Sequence, residues 1–297
     1  MLLQQIINGL LVGSVYALFS LGLTLIFGVM GVLNLAHAAV FMWGALTAYY
    51  GVTQLDMPLA LAFMSAMIVG GLLSVGLELL VYRPLRNRNA DQFAALFASI
   101  GANLVLMSIA QQLTSSRITS FPFGTFPVQI YKVFGLRLSL MQISIAVFTA
   151  VMVGFLIWYI YVSKFGKQVR AVAVDEKTAS LLGVNPGLTY KITFFLAGAF
   201  AGAGGAIIGL AFNSVHYMMG EPMLLRAFVV IILGGLGSVK GALVAALGIG
   251  VLQTLTTTYV SSQLSDVIIF SLLFVMLLIY PTGLFQGLRQ PTRVTRQ

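Results

Sequence analysis

The sequence predicts an all-α, polytopic integral membrane protein, a single transmembrane domain over residues 1–297 with about eight spans of roughly 20 residues each. Three observations predict it. Of the 297 residues, 59% are hydrophobic and 8% are charged, whereas a soluble domain carries about a quarter charged residues. The apolar residues fall in long uncharged intervals, most of them able to cover a ~30 Å hydrocarbon core as helix. The remaining charge gathers in short basic loops between those intervals. No barrel-like alternation is present, and lipid offers backbone groups no partners, so the spans must be helices.

Taken in order, no charge occurs before Asp56. Residues 1–55 therefore hold one span at 6–27 and a second stretch at 34–50 that either crosses or re-enters. Further spans are expected at 57–82, 92–113, 139–162, 190–212, 242–259 and 266–280, with a shorter apolar stretch near 227–239. The loop RPLRNRNAD (83–91), the loop KFGKQVR (164–170) and the tail residues Arg289, Arg293 and Arg296 share one side, which the positive-inside rule makes cytoplasmic. The segment 114–138 then faces outward, although it carries Arg117, Lys132 and Arg137; it is longer and its charges are sparser. Met1 is outside if 34–50 crosses and inside if it re-enters. The first span lacks a basic leading region and a small-residue cleavage site, and is read as retained.

Two glycine patterns carry different information. Gly9 and Gly13, then Gly198, Gly202 and Ala206, then Ala201, Gly205 and Gly209, recur every fourth residue, a spacing that lets membrane helices approach closely. IFGVMGVLNLAH from Ile26 also echoes ILGGLGSVKGAL from Ile232. This weak internal repeat ends two apolar stretches on paired glycines, which suits broken or re-entrant helices of the kind that border substrate paths.

Several chemistries are excluded or unsupported. The net charge of +9 is a loop pattern, not a nucleic-acid face. With no cysteine there is no disulfide, thiolate metal site or cysteine nucleophile. The two histidines, His37 and His216, have no partner at metal-ligand spacing. Every acid except Glu78 falls at a predicted loop or span end, and no phosphate-binding G-x-x-x-x-G-K-[ST] motif occurs, so energy for active transport would enter through another protein. An enzyme is not expected. Among polar groups within spans, Asn8, Asn34, His37 and Asn103 either line a path or hydrogen-bond between helices. The run NLAH (34–37) is the strongest candidate, because it follows Gly28 and Gly31 and sets an amide beside an imidazole.

The segment VDEKTASLLGVNPG (174–187), inside a loop spanning 163–189, is the one charged helix in the middle of the chain. Asp175 suits an N-cap and Glu176 the positive end of the helix dipole. Gly183 suits a left-handed terminus, and Asn185-Pro186 forbids continuation. The expected helix has about eight residues, roughly 12 Å, too short to be stable alone in water. Thr178, Ala179, Leu181 and Leu182 give it a small apolar side. It is either a surface connector or a knob that fills a groove on a partner.

DEKTASLLGVN (175–185) resembles the cytoplasmic loop of the LivH-type permeases of bacterial ABC importers for branched-chain amino acids. The blocks at 8–37 (NGLLVGSVYALFSLGLTLIFGVMGVLNLAH), 226–253 and 280–287 resemble that family in the same order, over nearly the whole chain. The resemblance implies a coupling helix seated on an ATPase through Asp175, Glu176, Thr178, Ala179, Ser180, Leu182 and Gly183. It implies a translocation path touching Asn34, His37, Asn8 and Asn103. It further implies a second, LivM-like permease, two ATP-binding subunits that hydrolyse the ATP, a periplasmic solute-binding protein, and a place in the bacterial inner membrane, with no cofactor or metal on this chain. One departure bears on the substrate. The family commonly continues Asn-[LF]-Ala-His with Gly-Glu, whereas Ala38 and Ala39 stand here. Urea, short amides or another small organic solute are therefore alternatives to an amino acid, and an ion-coupled secondary transporter is a remoter one.

Overall fold

The computed structural model describes residues 1–133, 136–280 and 283–285. Arg289, Arg293 and Arg296, and parts of the 280–287 block, lie outside the described residues. Helices dominate: α1 (Leu2–Met30), α2 (His37–Gln54), α3 (Leu59–Leu77), a π-helical turn (Glu78–Tyr82), α4 (Arg83–Asn87), α5 (Gln92–Leu113), α6 (Leu140–Tyr161), α7 (Lys164–Val174), α8 (Glu176–Leu181), α9 (Pro186–Ala211), α10 (Gly220–Gly234), α11 (Val239–Tyr259) and α12 (Ser262–Ile279). Seven helical segments are long and apolar enough to cross a membrane, the longest being Leu2–Met30 and the continuous Leu59–Asn87. The shorter α2 and α10 complete the up-and-down path. The chain is an all-α polytopic membrane protein, as the uncharged intervals predict.

The two ends of the bundle are fixed by direct bonds. Gln4 exchanges hydrogen bonds with the backbone of Arg137 at 2.9 Å in both directions. The N-terminus therefore shares an end with a two-stranded hairpin, β1 (Ile130–Val133) and β2 (Leu136–Ser139), which the sequence reading did not anticipate. Thr119 pairs with Val215 at that same end. The opposite end carries the basic loops. α2 runs back to the hairpin end, where the Tyr49 ring meets Phe121 at 5.8 Å. The stretch 34–50 thus crosses and does not re-enter, and Met1 lies opposite the basic loops.

Both short helices begin inside the protein. The His37 ring reaches the Phe19 carbonyl at 3.3 Å, about three turns before α1 ends. Gly220, the first residue of α10, packs so tightly on Ala38 that an added β-carbon would overlap the Ala38 carbonyl. The non-helical stretch 31–36 before α2 is buried or half-buried among helices, the one place where irregular backbone is tolerated at bilayer depth. The stretch 212–219 before α10, by contrast, is exposed at Phe212, Asn213 and Met218. The paired glycines of the internal echo also act alike: Gly31 (φ 70°) and Gly237 (φ 80°) both take left-handed conformations just past helix ends.

α1 and α9 form the centre, with 72% of each apolar stretch buried against 11–39% in the other spans. Their glycine stripes make this possible. A β-carbon at Gly13 would lie 2.7 Å from the Ala246 carbonyl oxygen of α11. Gly198 and Gly202 of α9 meet Gly70 and Ala66 of α3, Gly202 also meets Gly44 of α2, and Gly205 meets the Phe41 backbone of α2. Small residues here replace the hydrophobic drive that lipid does not supply with close van der Waals contact.

Gly202→Leu should therefore separate three helices and abolish the monodisperse peak in detergent size-exclusion chromatography. Gly154→Ala, at a site with nothing within 4 Å, should leave the peak and its melting temperature unchanged.

Candidate functional site

At the basic end, α8 forms as its caps dictate. The Asp175 carboxylate accepts from the Thr178 N–H at 2.9 Å, and this bond, ahead of all other influences, holds its pKa below the usual aspartate value. The cap is therefore complete above the ordinary Asp pKa and is lost only as pH falls through the lowered value. Leu182 N–H bonds back to Thr178 and Ala179 carbonyls at 3.2 Å, Val184 N–H to Ala179 at 3.1 Å, and Gly183 turns left-handed at φ 85°. Asn185 then caps α9 through Leu188 N–H at 3.1 Å, with Pro186 as first helical residue. The helix is six residues long, shorter than the eight expected, because these back-bonds close it at Leu182.

The small apolar side read from the sequence is divided in two. Ala179 is 2% exposed and packs on its own chain, whereas Leu181 and Leu182 are 88% and 79% exposed. Thr178, Ser180 and Gly183 are exposed as well. A partner would meet the leucines and not Ala179.

α8 is fastened to the bundle through Glu176. Its carboxylate accepts from the Tyr190 hydroxyl of α9 at 3.0 Å and lies 3.9 Å from Arg86 of α4. Arg86 stacks its guanidinium 4.0 Å above the Tyr190 ring and donates at 2.9 Å to Glu78, whose side chain is wholly buried. A cleft of about 430 Å³ opens beside this group, lined by Arg86, Asp91, Asp175, Glu176, Lys177 and Tyr190 among others. Glu78 and Arg86 are eight residues apart, which on a regular α-helix leaves them about 80° out of register. The π-helical turn between them absorbs roughly one residue, so the effective spacing is about two full turns and the two side chains share a face. Arg86, Glu78 and Tyr190 were not singled out from the sequence. Arg86 reads there as one more basic-loop residue, and the π-turn leaves no simple pattern.

The same π-turn reaches deeper. Tyr82, its last residue, donates at 2.9 Å to Asn34 in the irregular segment 31–36. Leu35 N–H bonds Ser99 at 3.2 Å, and Asn103 accepts from Ala39 N–H at 3.1 Å, closing the first turn of α2. Three of the expected path residues, Asn34, His37 and Asn103, thus converge on the start of α2. Asn34 and His37 are fully buried, and Asn34 Nδ2 and His37 Nδ1 have no hydrogen-bond partner among the described residues. Among the described residues they line no open channel; a tight seam with no room for a water molecule runs between Ala38, Ala39, Asn103, Met107, Tyr217, Gly220 and Glu221. Glu221, in the first turn of α10, borders the same seam as Ala38 and Ala39.

Asn8 stands apart from the other three. It joins Gln5 and Gln142 at 3.3 Å on the rim of a second cleft, of about 510 Å³, near the hairpin end.

A family profile described as "Branched-chain amino acid transport system / permease component" matches residues 5–277. The high-affinity branched-chain amino acid permease protein LivH of Salmonella typhimurium is 32% identical over 293 residues, covering 95% of this chain and 94% of its own length. BraD of Pseudomonas aeruginosa is 33% identical, with 95% of each chain covered. The LivM permease of Escherichia coli is more distant, 23% identical over 91% of this chain and 67% of its own length.

Arg86→Gln leaves the Glu78 carboxylate buried without its ion partner, a change that costs about 3–5 kcal/mol in comparable pairs. It should lower the melting temperature in detergent sharply, and the paired variant Arg86→Met/Glu78→Met should recover most of the loss.

Proposed function

The chain belongs to the family of branched-chain amino acid transport permease components, and from that premise we propose how it works: as the membrane-spanning subunit of an ABC importer for branched-chain amino acids, moved by ATP that partner subunits hydrolyse. Those partners are two ATP-binding subunits on the basic end, a second permease of the LivM kind, and a periplasmic solute-binding protein at the hairpin end, in a bacterial inner membrane. The weaker likeness to a LivM protein supports a homologous second permease built on the same plan. The observation that carries the reading is α8: two leucines stand out from a six-residue helix that is tied by Glu176 to a buried acid of a spanning helix.

The mechanism follows from that fastening. Leu181 and Leu182 seat in an apolar groove of an ATPase subunit, with the exposed Thr178, Ser180 and Gly183 allowing close approach. When the ATPases close on ATP, α8 is displaced. Glu176 draws Arg86 and Tyr190 with it, so that the pull enters α4 and α9 together. Arg86 is bonded to Glu78 at the head of the π-turn and Tyr82 at its foot is bonded to Asn34. A shift of this turn therefore alters the segment 31–36 and the start of α2, where Asn34, His37 and Asn103 meet. A π-turn suits this role, since its wider hydrogen bonding is easily exchanged for α-helical bonding. Glu221 borders the same seam as Ala38 and Ala39, and an acid at the meeting of α2 and α10 supports a solute bearing an ammonium group over urea or a neutral amide.

Replacing both exposed leucines, Leu181→Asp/Leu182→Asp, should leave the permease inserted and thermally stable while ATPase subunits no longer copurify and ATP-driven leucine uptake falls at least tenfold. Normal uptake and copurification would remove α8 from the coupling role. Tyr82→Phe, which deletes the hydroxyl that bonds Asn34 and interacts with Ser99, should slow uptake with the complex intact.

A further inference from the structure

The outer cleft and the cation that lines it have no part in the coupling described above. We infer that Arg226 reads the carboxylate of a small aliphatic solute bound in this cleft; the inference rests on the transport reading and adds a site to it.

Position comes first. The cleft is lined by residues of α1, α6, α9, α10 and α11, with Tyr16, Gln253 and Arg226 among them. Tyr16 is the midpoint of the 29-residue α1, about 20 Å from either end of that helix. The Arg226 guanidinium carbon stands 5.9 Å from the centre of the Tyr16 ring, and the Tyr16 hydroxyl is bonded to Gln253. An arginine at such depth is costly in lipid and is kept where it faces a water-filled path. Polar residues on the cleft wall, Thr254 and Gln253 among them, fit water and do not fit acyl chains.

The chemistry of the walls is two-sided. Val12, Val15 and Ile145 line the same cleft as Gln253, Thr254 and Arg226. A solute with a hydrocarbon branch and an anionic head meets both. Arg226 is available for that head. Asp266 of α12 accepts one bond from it at 3.2 Å, through a carboxylate that is itself 56% exposed, and no other carboxylate lies within ion-pair distance of Arg226 among the described residues. A guanidinium has five donors in a planar fork and prefers a bidentate carboxylate. Asp266 and the Tyr16 hydroxyl hold one part of the fork in place, and five donors are more than these two partners use. The competing explanation is a simple clip between α10 and α12.

The chain has no cysteine, which makes a direct test available. Thr254→Cys in the full complex, in native membranes, would be labelled from outside with the anionic reagent methanethiosulfonate ethylsulfonate and with its cationic trimethylammonium counterpart. The anionic reagent should react at least tenfold faster. Millimolar L-leucine should protect the thiol, and leucinamide, which lacks the carboxylate, should not. Arg226→Gln should erase both effects, whereas Asp266→Asn should keep the protection; a clip predicts that the two variants behave alike. Absence of labelling, equal protection by leucine and leucinamide, or retained protection in Arg226→Gln would overturn the site. The leucine-against-leucinamide comparison needs no change at Arg226, so a misfolded variant cannot spoil it. ATP-driven leucine uptake in the cysteine-free chain separates the two levels: its absence would defeat the transport reading, while normal uptake without selective protection would defeat only the site.

Discussion

One ion group, Glu78–Arg86–Glu176, joins what the chain does outside the hydrocarbon to what it does within. Glu78 is buried at the head of a π-turn in a spanning helix, and Glu176 begins a six-residue helix beyond the opposite wall of a cleft. A helix so short has no stability of its own. It keeps one orientation because Arg86 and Tyr190 grip its first residue. An exposed ion pair would contribute little, but a guanidinium stacked on a ring and bonded to a buried carboxylate cannot be released without stranding that carboxylate. The connection is stiff for that reason, and stiffness is what a lever requires.

Above this grip the architecture trades regular helix for contact. α2 and α10 both start inside the protein and touch at Ala38 and Gly220. The approach to α2 bonds to Tyr82 and Ser99, and the first turn of α2 to Asn103. Around them, α1 and α9 are held by glycine-to-backbone contacts that leave no slack. The soft parts of the molecule, the π-turn and the segment 31–36, are therefore bounded by rigid ones. Motion entering through Arg86 has few places to go except the start of α2.

Much of this was legible in the sequence. Uncharged intervals mark the spans because desolvating a charge is so costly that its absence is diagnostic. The four-residue glycine spacing marked the helix contacts, and Asp175, Gly183 and Asn185-Pro186 marked the ends of α8, since caps are local chemistry. What was missed depends on distance along the chain or on helix phase. Glu78 and Arg86 look out of register until a π-turn intervenes. Thr178, Ala179, Leu181 and Leu182 read as one side, yet Ala179 turns inward, because the tether at Glu176 sets the roll of the helix and no local pattern records it. Asn8 borders a different cleft from Asn34 and His37, nearer the hairpin end, a separation in space that residue type alone does not reveal. The hairpin at 130–139 was passed over because its charges were weighed for sidedness and not for strand alternation.

If the ion group is the grip, α8 and α4 travel as one body when the motor closes. Nitroxide labels at Ser180 and Asn87, both exposed, can be placed cleanly in a chain without native cysteine. Pulsed electron–electron resonance on the assembled complex would then compare the nucleotide-free and ATP-bound states. The account predicts that the Ser180–Asn87 distance stays constant while the distance from Ser180 to a label at Val260, at the far end of the bundle, changes. A Ser180–Asn87 distance that shifts with ATP would mean that the lever slides past Arg86, and the account would be contradicted.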